Sequence, residues 1–247
     1  MVRLDTVTFD LWQTLIVDSP RLGSPRMQAR LERIAEALEM EGFSYPVDQL
    51  SNASRTTFGI CDQIRAKEAD VTFVEQVDIF IRAVDEELAE RLSPDGLDKV
   101  QRHYADSYLD HPPQVDEEAA DVLMAMRDMG LKVALICNTG STPGVTQRVF
   151  LDRVGLLKFF DAVTFSDEEQ LSKPAKQIFD RTLDRIGSTA EAAIHVGDHH
   201  RNDVDGAKRA GLRAIWLRRG DSLPEIEPDA EIERLGQAIG VVRRLLA

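Results

Sequence analysis

Apolar positions along the chain follow two different periods, and the change from one to the other divides the sequence. "VTFD", residues 7–10, is a short apolar run ended by an acid and reads as a buried strand. "VDSPRLGSPR" follows and reads as a turn-rich stretch, with Pro20 and Pro25. From about residue 26 to 109 the apolar residues recur at helical spacing. "MQARLERIAEALEMEG" predicts a helix stopped by Gly42, and "FVEQVDIFIRAVDEELAERL" a second one broken by "SPDG". "LDKVQRHYADSYLDHPP" predicts a third, ended by Pro112 and Pro113.

From about residue 114 helix and strand alternate. "DEEAADVLMAMRDMG" is a helix with a glycine stop, and "LKVALIC", "DAVTFS", "AAIHVGD" and "RAIWL" are short buried-strand runs separated by helix-like segments. This alternation predicts an α/β fold, a doubly wound parallel sheet with helices on both faces. "VTFD" is then the first strand, cut off from its partners by a helical insertion. The expected division is residues 1–17 and 110–247 for the α/β core, and 18–109 for a smaller all-helical domain.

Composition narrows the function classes. A net charge of −13 over 247 residues argues against non-specific binding to nucleic acid or an anionic membrane. No apolar run approaches the roughly 20 residues needed to span a bilayer. "MVRLDTVTFD" has an acid inside its apolar part and no cleavage-site pattern, and Cys61 and Cys137 are far apart, so reduced thiols and a cytoplasmic location are expected.

Ligands of an open parallel sheet bind beyond the carboxyl ends of its strands. Those ends carry Asp10, then Cys137 and Asn138 of "CNTGS", then Asp198 and Asp203 of "VGDHHRND"; "LSKPAKQIF" adds Lys173. So dense a carboxylate cluster repels itself unless a cation is present, and hard oxygen ligands suit Mg²⁺. Lys173 suits an anionic substrate. His199 and His200 are adjacent and project differently, and so read as loop residues.

Four motifs in order, "FDLWQTL", "LICNTG", "LSKPAKQIF" and "HVGDHHRNDVDGAKRAG", resemble those of the haloacid dehalogenase (HAD) superfamily. The resemblance implies a HAD-like Rossmannoid core with a helical cap domain. It implies Asp10 as a nucleophile forming an aspartyl intermediate, and Mg²⁺ held by Asp10, the main-chain carbonyl of Trp12, and Asp198. Asp203 would join the metal directly or through water. Thr14 would position the first loop, Asn138 or nearby amides would bind the transferring group, and Lys173 would neutralise charge on Asp10 and substrate.

Two positions depart from the family pattern. Phosphatases of the superfamily usually carry an acid/base aspartate where this chain has Trp12, and serine or threonine where it has Cys137. Indole exchanges no proton near neutral pH, and a thiol is a weaker donor. An aromatic residue at position 12 is compatible with dehalogenation, because halide leaves unprotonated. Asp198 favours the metal-dependent phosphoryl reading, since dehalogenases of the family are metal-independent and carry small polar residues there. The expected function is therefore a Mg²⁺-dependent phosphohydrolase of a small metabolite. A 2-haloacid dehalogenase-like hydrolase and a non-catalytic binding protein are the alternatives. Arg21, Arg26, Arg55 and Arg65 are cap residues that either reach a substrate anion or lie on solvated faces. A cap that closes over the site suits a small, anionic substrate with no nucleic-acid partner, and the oligomeric state is left open.

Overall fold

The computed structural model describes residues 3–219 and 225–246. In chain order the strands are β1 (Thr6–Phe9), β2 (Ile16–Val17), β3 (Gln114–Val115), β4 (Lys132–Cys137), β5 (Ala162–Phe165), β6 (Ala193–Gly197), β7 (Arg213–Leu217) and β8 (Ala230–Ile232). Six of them form one sheet in the order β5-β4-β1-β6-β7-β8, and every pairing in it is parallel. β1 lies where the order reverses, the topological switch point of a doubly wound sheet. Phe9 is in register with Leu135 and Val196, so β1, β4 and β6 end side by side at Asp10, Asn138 and Asp198.

Both faces of the sheet are covered, which is why its strands read as continuous apolar runs. Val7, Phe9, Leu135 and Cys137 point into one core cluster, and Ile136, Phe179, Ala193 and Trp216 into another. The helices that cover the sheet come later in the chain, which first builds α1 (Pro20–Met40), α2 (Val47–Arg65), α3 (Phe73–Val84), α4 (Leu88–Arg91) and α5 (Pro94–Asp110). These five have a cluster of their own, with Leu31, Ile34, Val77, Phe80 and Tyr104 at its centre. After them come α6 (Ala119–Asp128), α7 (Gly144–Arg153), α8 (Ser166–Glu169), α9 (Lys176–Ile186), α10 (Gly206–Ala210) and α11 (Gln237–Leu246).

The helical stretch departs from expectation at two points. The stretch read as turn-rich begins α1 at Pro20, because proline is pre-organised for the first helical position; Pro25 lies inside the helix and forgoes one backbone bond. "SPDG" starts α5 instead of merely ending a helix: Pro94 is at its first turn and the Ser93 side chain accepts from the Gly96 N–H at 2.9 Å. The actual break falls at Asp85, which is extended.

The sequence reading also left β2, β3, β8 and α11 unassigned. β2 and β3 pair antiparallel, Ile16 opposite Val115 and Val17 opposite Gln114, at the points where the chain enters and leaves the helices. Both cysteines are buried and free. Among the described residues no helix is long and apolar enough to cross a membrane.

Candidate active site

The Asp10 N–H donates to the Val196 carbonyl at 2.9 Å, which carries the pairing one residue past β1. The chain then wraps the Leu11 carbonyl, which accepts from the N–H groups of Thr14, Leu15 and Ile16 at 3.3, 2.9 and 3.0 Å. Gln13, at φ 59, takes the left-handed conformation within this turn. The turn returns Thr14 to Asp10, where its hydroxyl donates to Oδ2 at 3.1 Å. On the other oxygen, Asp10 Oδ1 accepts from Lys173 Nζ at 2.6 Å, and the same ammonium donates to Asp203 Oδ1 at 2.7 Å.

Lys173 is held in place by Asn138. The Asn138 amide nitrogen donates to the Lys173 carbonyl at 3.0 Å, and its oxygen accepts the Lys173 N–H at 2.8 Å. Both ends of the amide are thus engaged on the lysine's backbone, whereas the sequence reading had either this side chain or the nearby backbone amides on the transferring group. Cys137, named with the strand-end groups, does not line the pocket. It shares the Leu135 face of β4, is fully buried, and donates to Gln147 Oε1 at 3.4 Å. Alternation along the strand turns it into the core, away from the pocket.

Asp203 is satisfied from three sides. Besides Lys173, its Oδ1 meets His195 Nε2 at 3.2 Å, and its Oδ2 accepts the His199 N–H at 2.9 Å. His195 Nδ1 lies 2.8 Å from the Thr8 hydroxyl. With Nε2 donating to a carboxylate, Nδ1 accepts from Thr8, so one tautomer serves both contacts. Sequence reasoning missed His195; the signal was a polar residue two positions before Gly197, on the same face of β6.

Gly197 is required by close approach. A Cβ built there would lie 2.3 Å from Asp203 Cγ. Gly197→Ala is therefore expected to push Asp203 aside and to weaken divalent-cation binding by about 10-fold or more, measured by calorimetric titration. Unchanged affinity would show that the carboxylate moves freely.

Asp198 follows directly, with its carbonyl accepting from Trp216 Nε1 at 2.9 Å. One carboxylate oxygen from each of Asp10, Asp198 and Asp203 lies within 4.8 Å of the others. In front of them is a cavity of about 410 Å³, walled by Trp12 and Asn138 from the sheet side and by Arg26 and Phe58 from α1 and α2. Trp12 also meets the Tyr108 ring of α5 edge-on at 5.8 Å, so it is both pocket wall and interface packing.

The candidate arginines separate clearly. Arg26 lines the pocket but is paired with Asp18 at 2.8 Å and donates to the His111 carbonyl at 2.7 Å. Arg65 pairs with Asp70 at 3.2 Å and donates to the Gly140 carbonyl at 3.2 Å. Asp70 in turn accepts from Ser166 Oγ at 2.6 Å, and that oxygen accepts the Thr139 N–H at 2.9 Å. The helices thereby grip the loop after β4. Arg21 and Arg55 are exposed. His199 lines the pocket, accepts the Asn202 N–H at 3.2 Å and stacks on His200 at 5.2 Å.

Residues 4–211 match the family described as haloacid dehalogenase-like hydrolase. The chain belongs to that family. A glyceraldehyde 3-phosphate phosphatase of Methanopyrus kandleri is 37% identical over 129 residues, 50% of this chain and 54% of that protein. A phosphoserine phosphatase of Thermus thermophilus is 38% identical over 117 residues, 47% and 46% of the two chains. The chain spans about half the length of these curated relatives. Similarity over nearly the whole length is to solved structures. A 2-haloacid dehalogenase from Pseudomonas syringae pv. tomato is 25% identical with a TM-score of 0.72, covering 98% of this chain and 99% of that one. A HAD phosphatase from Thermococcus onnurineus is 26% identical with a TM-score of 0.63, covering 97% and 98%.

The electrostatics of this HAD-like hydrolase follow from crowding. Burial pushes the Asp198 carboxyl up to about 8, with Asp10 and Asp203 adding repulsion. Burial likewise pushes Asp10 up to about 6, against the pull of Lys173. Burial also opposes charge on Asp203 and Lys173, but their partners outweigh it: Asp203 is held below the carboxylate range and Lys173 above its usual value. One lysine among three acids leaves a site that favours an added cation, and an all-oxygen donor set suits Mg²⁺.

Proposed function

We propose that this chain is a Mg²⁺-dependent phosphohydrolase of a small phosphate ester, with Asp10 as nucleophile and residues 18–109 as a cap domain over the site. The observation that carries this reading is the set of three carboxylates around one buried lysine. Asp10, Asp198 and the Trp12 carbonyl would hold the metal; Asp203, whose oxygens already serve Lys173, His195 and the His199 N–H, would join through water. Bound Mg²⁺ would neutralise the carboxylates and withdraw charge from the phosphoryl oxygens. A carboxylate oxygen of Asp10 forms a bond to phosphorus as the ester oxygen departs with the bonding pair, and water then releases phosphate from the acyl phosphate. Lys173 and Thr14 keep the two carboxylate oxygens oriented, and Asn138 fixes the lysine. The curated relatives are named for small phosphate esters, in keeping with this reading.

Trp12 makes a specific prediction about leaving groups. Without an acid at that position the ester oxygen departs unprotonated, so rates across a series of aryl and alkyl phosphates are expected to fall steeply as leaving-group pKa rises. Trp12→Asp is expected to flatten that dependence, speeding poor leaving groups by about 10²-fold relative to good ones. Parallel slopes would mean that the proton comes from elsewhere.

The test of the reading as a whole is phosphate release from acetyl phosphate and a panel of small esters, with Mg²⁺ or with chelator. Release that needs Mg²⁺ supports it, and no release from any ester removes it. A second reading, 2-haloacid dehalogenation, is favoured by Trp12 and by the likeness to the Pseudomonas protein; chloride release from 2-haloacids without metal would establish that one instead.

Metal binding is also expected to depend on pH. The folded Asp198 keeps its proton up to about 8, against 3.8 for the free group, so ionising it costs the metal-free fold stability as pH rises through that window. Mg²⁺ needs the ionised form and displaces the proton. The Mg²⁺-induced rise in Tm should therefore be larger near the upper end of the window than at about pH 5.5. A shift independent of pH would show that Asp198 is already ionised without metal.

A further inference from the structure

The connection between α2 and α3 lies against the sheet domain, just ahead of Lys173. Ala69 forms a single antiparallel bridge with Leu171. Around it the Asp70 N–H donates to the Gln170 carbonyl at 3.1 Å, and the Ser172 N–H to the Glu68 carbonyl at 3.2 Å. The Ser172 hydroxyl adds a bond to the Ala69 carbonyl at 3.0 Å.

The side chain of Asp70 reaches further, toward the loop after β4. It is 5% exposed and accepts from the Val71 N–H at 2.9 Å, Arg65 Nε at 3.2 Å and the Ser166 hydroxyl at 2.6 Å. A serine hydroxyl has one proton and two lone pairs. With its proton given to Asp70, Ser166 Oγ accepts the Thr139 N–H at 2.9 Å and the Thr139 hydroxyl at 3.2 Å. The carboxylate thus sets the direction of the chain of bonds, with every donor pointing toward it. Arg65, paired with the same carboxylate, donates to the Gly140 carbonyl at 3.2 Å.

Residues 138–142 form part of the cavity wall in front of Asp10, and Asp70 does not. The Asn138 side chain is spent on Lys173, and the Thr139 N–H on Ser166. What the loop keeps for an oxyanion is the N–H groups of Gly140 and Ser141, which have no protein acceptor among the described residues.

We propose that Asp70, carried by the helical domain, is a positioning residue for this phosphoryl-binding loop. Through Ser166 and Arg65 it sets the backbone of residues 139–141, so the site is complete only while the α2–α3 connection is seated on the sheet domain. This rests on the phosphohydrolase reading above. The peptide between Gly140 and Ser141 is planar, so a carbonyl drawn toward Arg65 aims the Ser141 N–H the opposite way. The same connection holds Ser172, the neighbour of Lys173, so loop and lysine are set from one place.

The test measures binding of inorganic phosphate to the Mg²⁺-loaded protein, together with Mg²⁺ affinity and amide hydrogen exchange over residues 138–142. Asp70→Ala and Ser166→Ala are each expected to weaken phosphate about 10-fold and to speed exchange in that segment, with Mg²⁺ affinity unchanged. Because they cut one chain at two links, the double variant should lose no more than either alone. Asp70→Asn, close in shape and still able to bond Ser166 and Arg65, should recover part of the loss. In turnover the loss should fall on KM more than on kcat, since Asp10 and Lys173 stay in place.

Unchanged phosphate affinity and exchange in either single variant overturn the assignment while leaving the phosphohydrolase reading intact. Losses that add in the double variant, or Mg²⁺ weakened as much as phosphate, also overturn it, because the carboxylate then merely supports the fold. Ser166→Ala, which leaves the Asp70–Arg65 pair in place, decides the matter if Asp70→Ala does not fold. If wild type binds no phosphate with Mg²⁺ present, the phosphohydrolase reading falls instead. Faster exchange in both variants would then still support the link from Asp70 to the loop, and unchanged exchange would remove it.

Discussion

Asp10→Asn is expected to lower turnover by about 10⁴-fold or more while leaving the fold intact. The amide is nearly the same shape as the carboxylate, and its oxygen can still accept from Lys173 Nζ, which lies 2.6 Å from Oδ1. What it loses is the anion proposed to attack phosphorus. The thermal consequence runs the other way from the kinetic one. Burial pushes Asp10 up to about 6, so its charge is an unfavourable feature of the metal-free fold. With chelator present the variant should melt no lower than wild type, and its Mg²⁺-induced gain in Tm should shrink. Retained turnover would remove Asp10 as nucleophile, and a large fall in Tm would assign it a structural role.

Lys173→Met is expected to cost both activity and stability. Lys173 is 2% exposed and donates to Asp10 and Asp203 together. Removing it leaves two buried carboxylates facing each other and Asp198, a loss of about 3–5 kcal/mol for a broken buried pair. Because acids can recover by taking up protons, the deficit in Tm should narrow as pH falls. Mg²⁺ should restore part of it, since the metal supplies the positive charge that the lysine gave. Turnover should still fall about 10³-fold, because a diffusely hydrated ion does not replace an ammonium fixed against the nucleophile. A variant as stable as wild type in chelator would contradict the charge argument at its base.

The strand ends were legible in the sequence for a physical reason. A parallel sheet buried on both faces needs continuous apolar runs, and its ligand groups must follow them, so Asp10, Asp198 and Lys173 could be named before the fold was known. What could not be read were contacts between distant segments. Nothing local says that Asn138 spends its amide on Lys173, that His195 backs Asp203, or that Asp70 reaches Ser166. Short elements also escaped. β2 and β3 have two residues each and exist only because they meet. Proline misled in the opposite direction: Pro20 and Pro94, read as breakers, open helices. Cys137 was named with the strand-end groups by motif position, but strand alternation decides which face it takes.

The short β2–β3 ladder has a consequence for how such a chain can be rebuilt. Val17 and Gln114 are direct neighbours across it, although 96 positions of sequence lie between them in the numbering. A reverse turn of about two residues would suffice to join them. Everything from Asp18 to Pro113 is thus threaded into the sheet protein through a single narrow doorway, with both doorposts already bonded to each other. Whatever stretch of polypeptide is spliced in there, long or short, the pairing of β1 with β6 that sets Asp10 beside Asp198 lies outside it. The insert could thus be exchanged without cutting the sheet, provided its replacement also met the loop after β4, as Arg65 does at the Gly140 carbonyl.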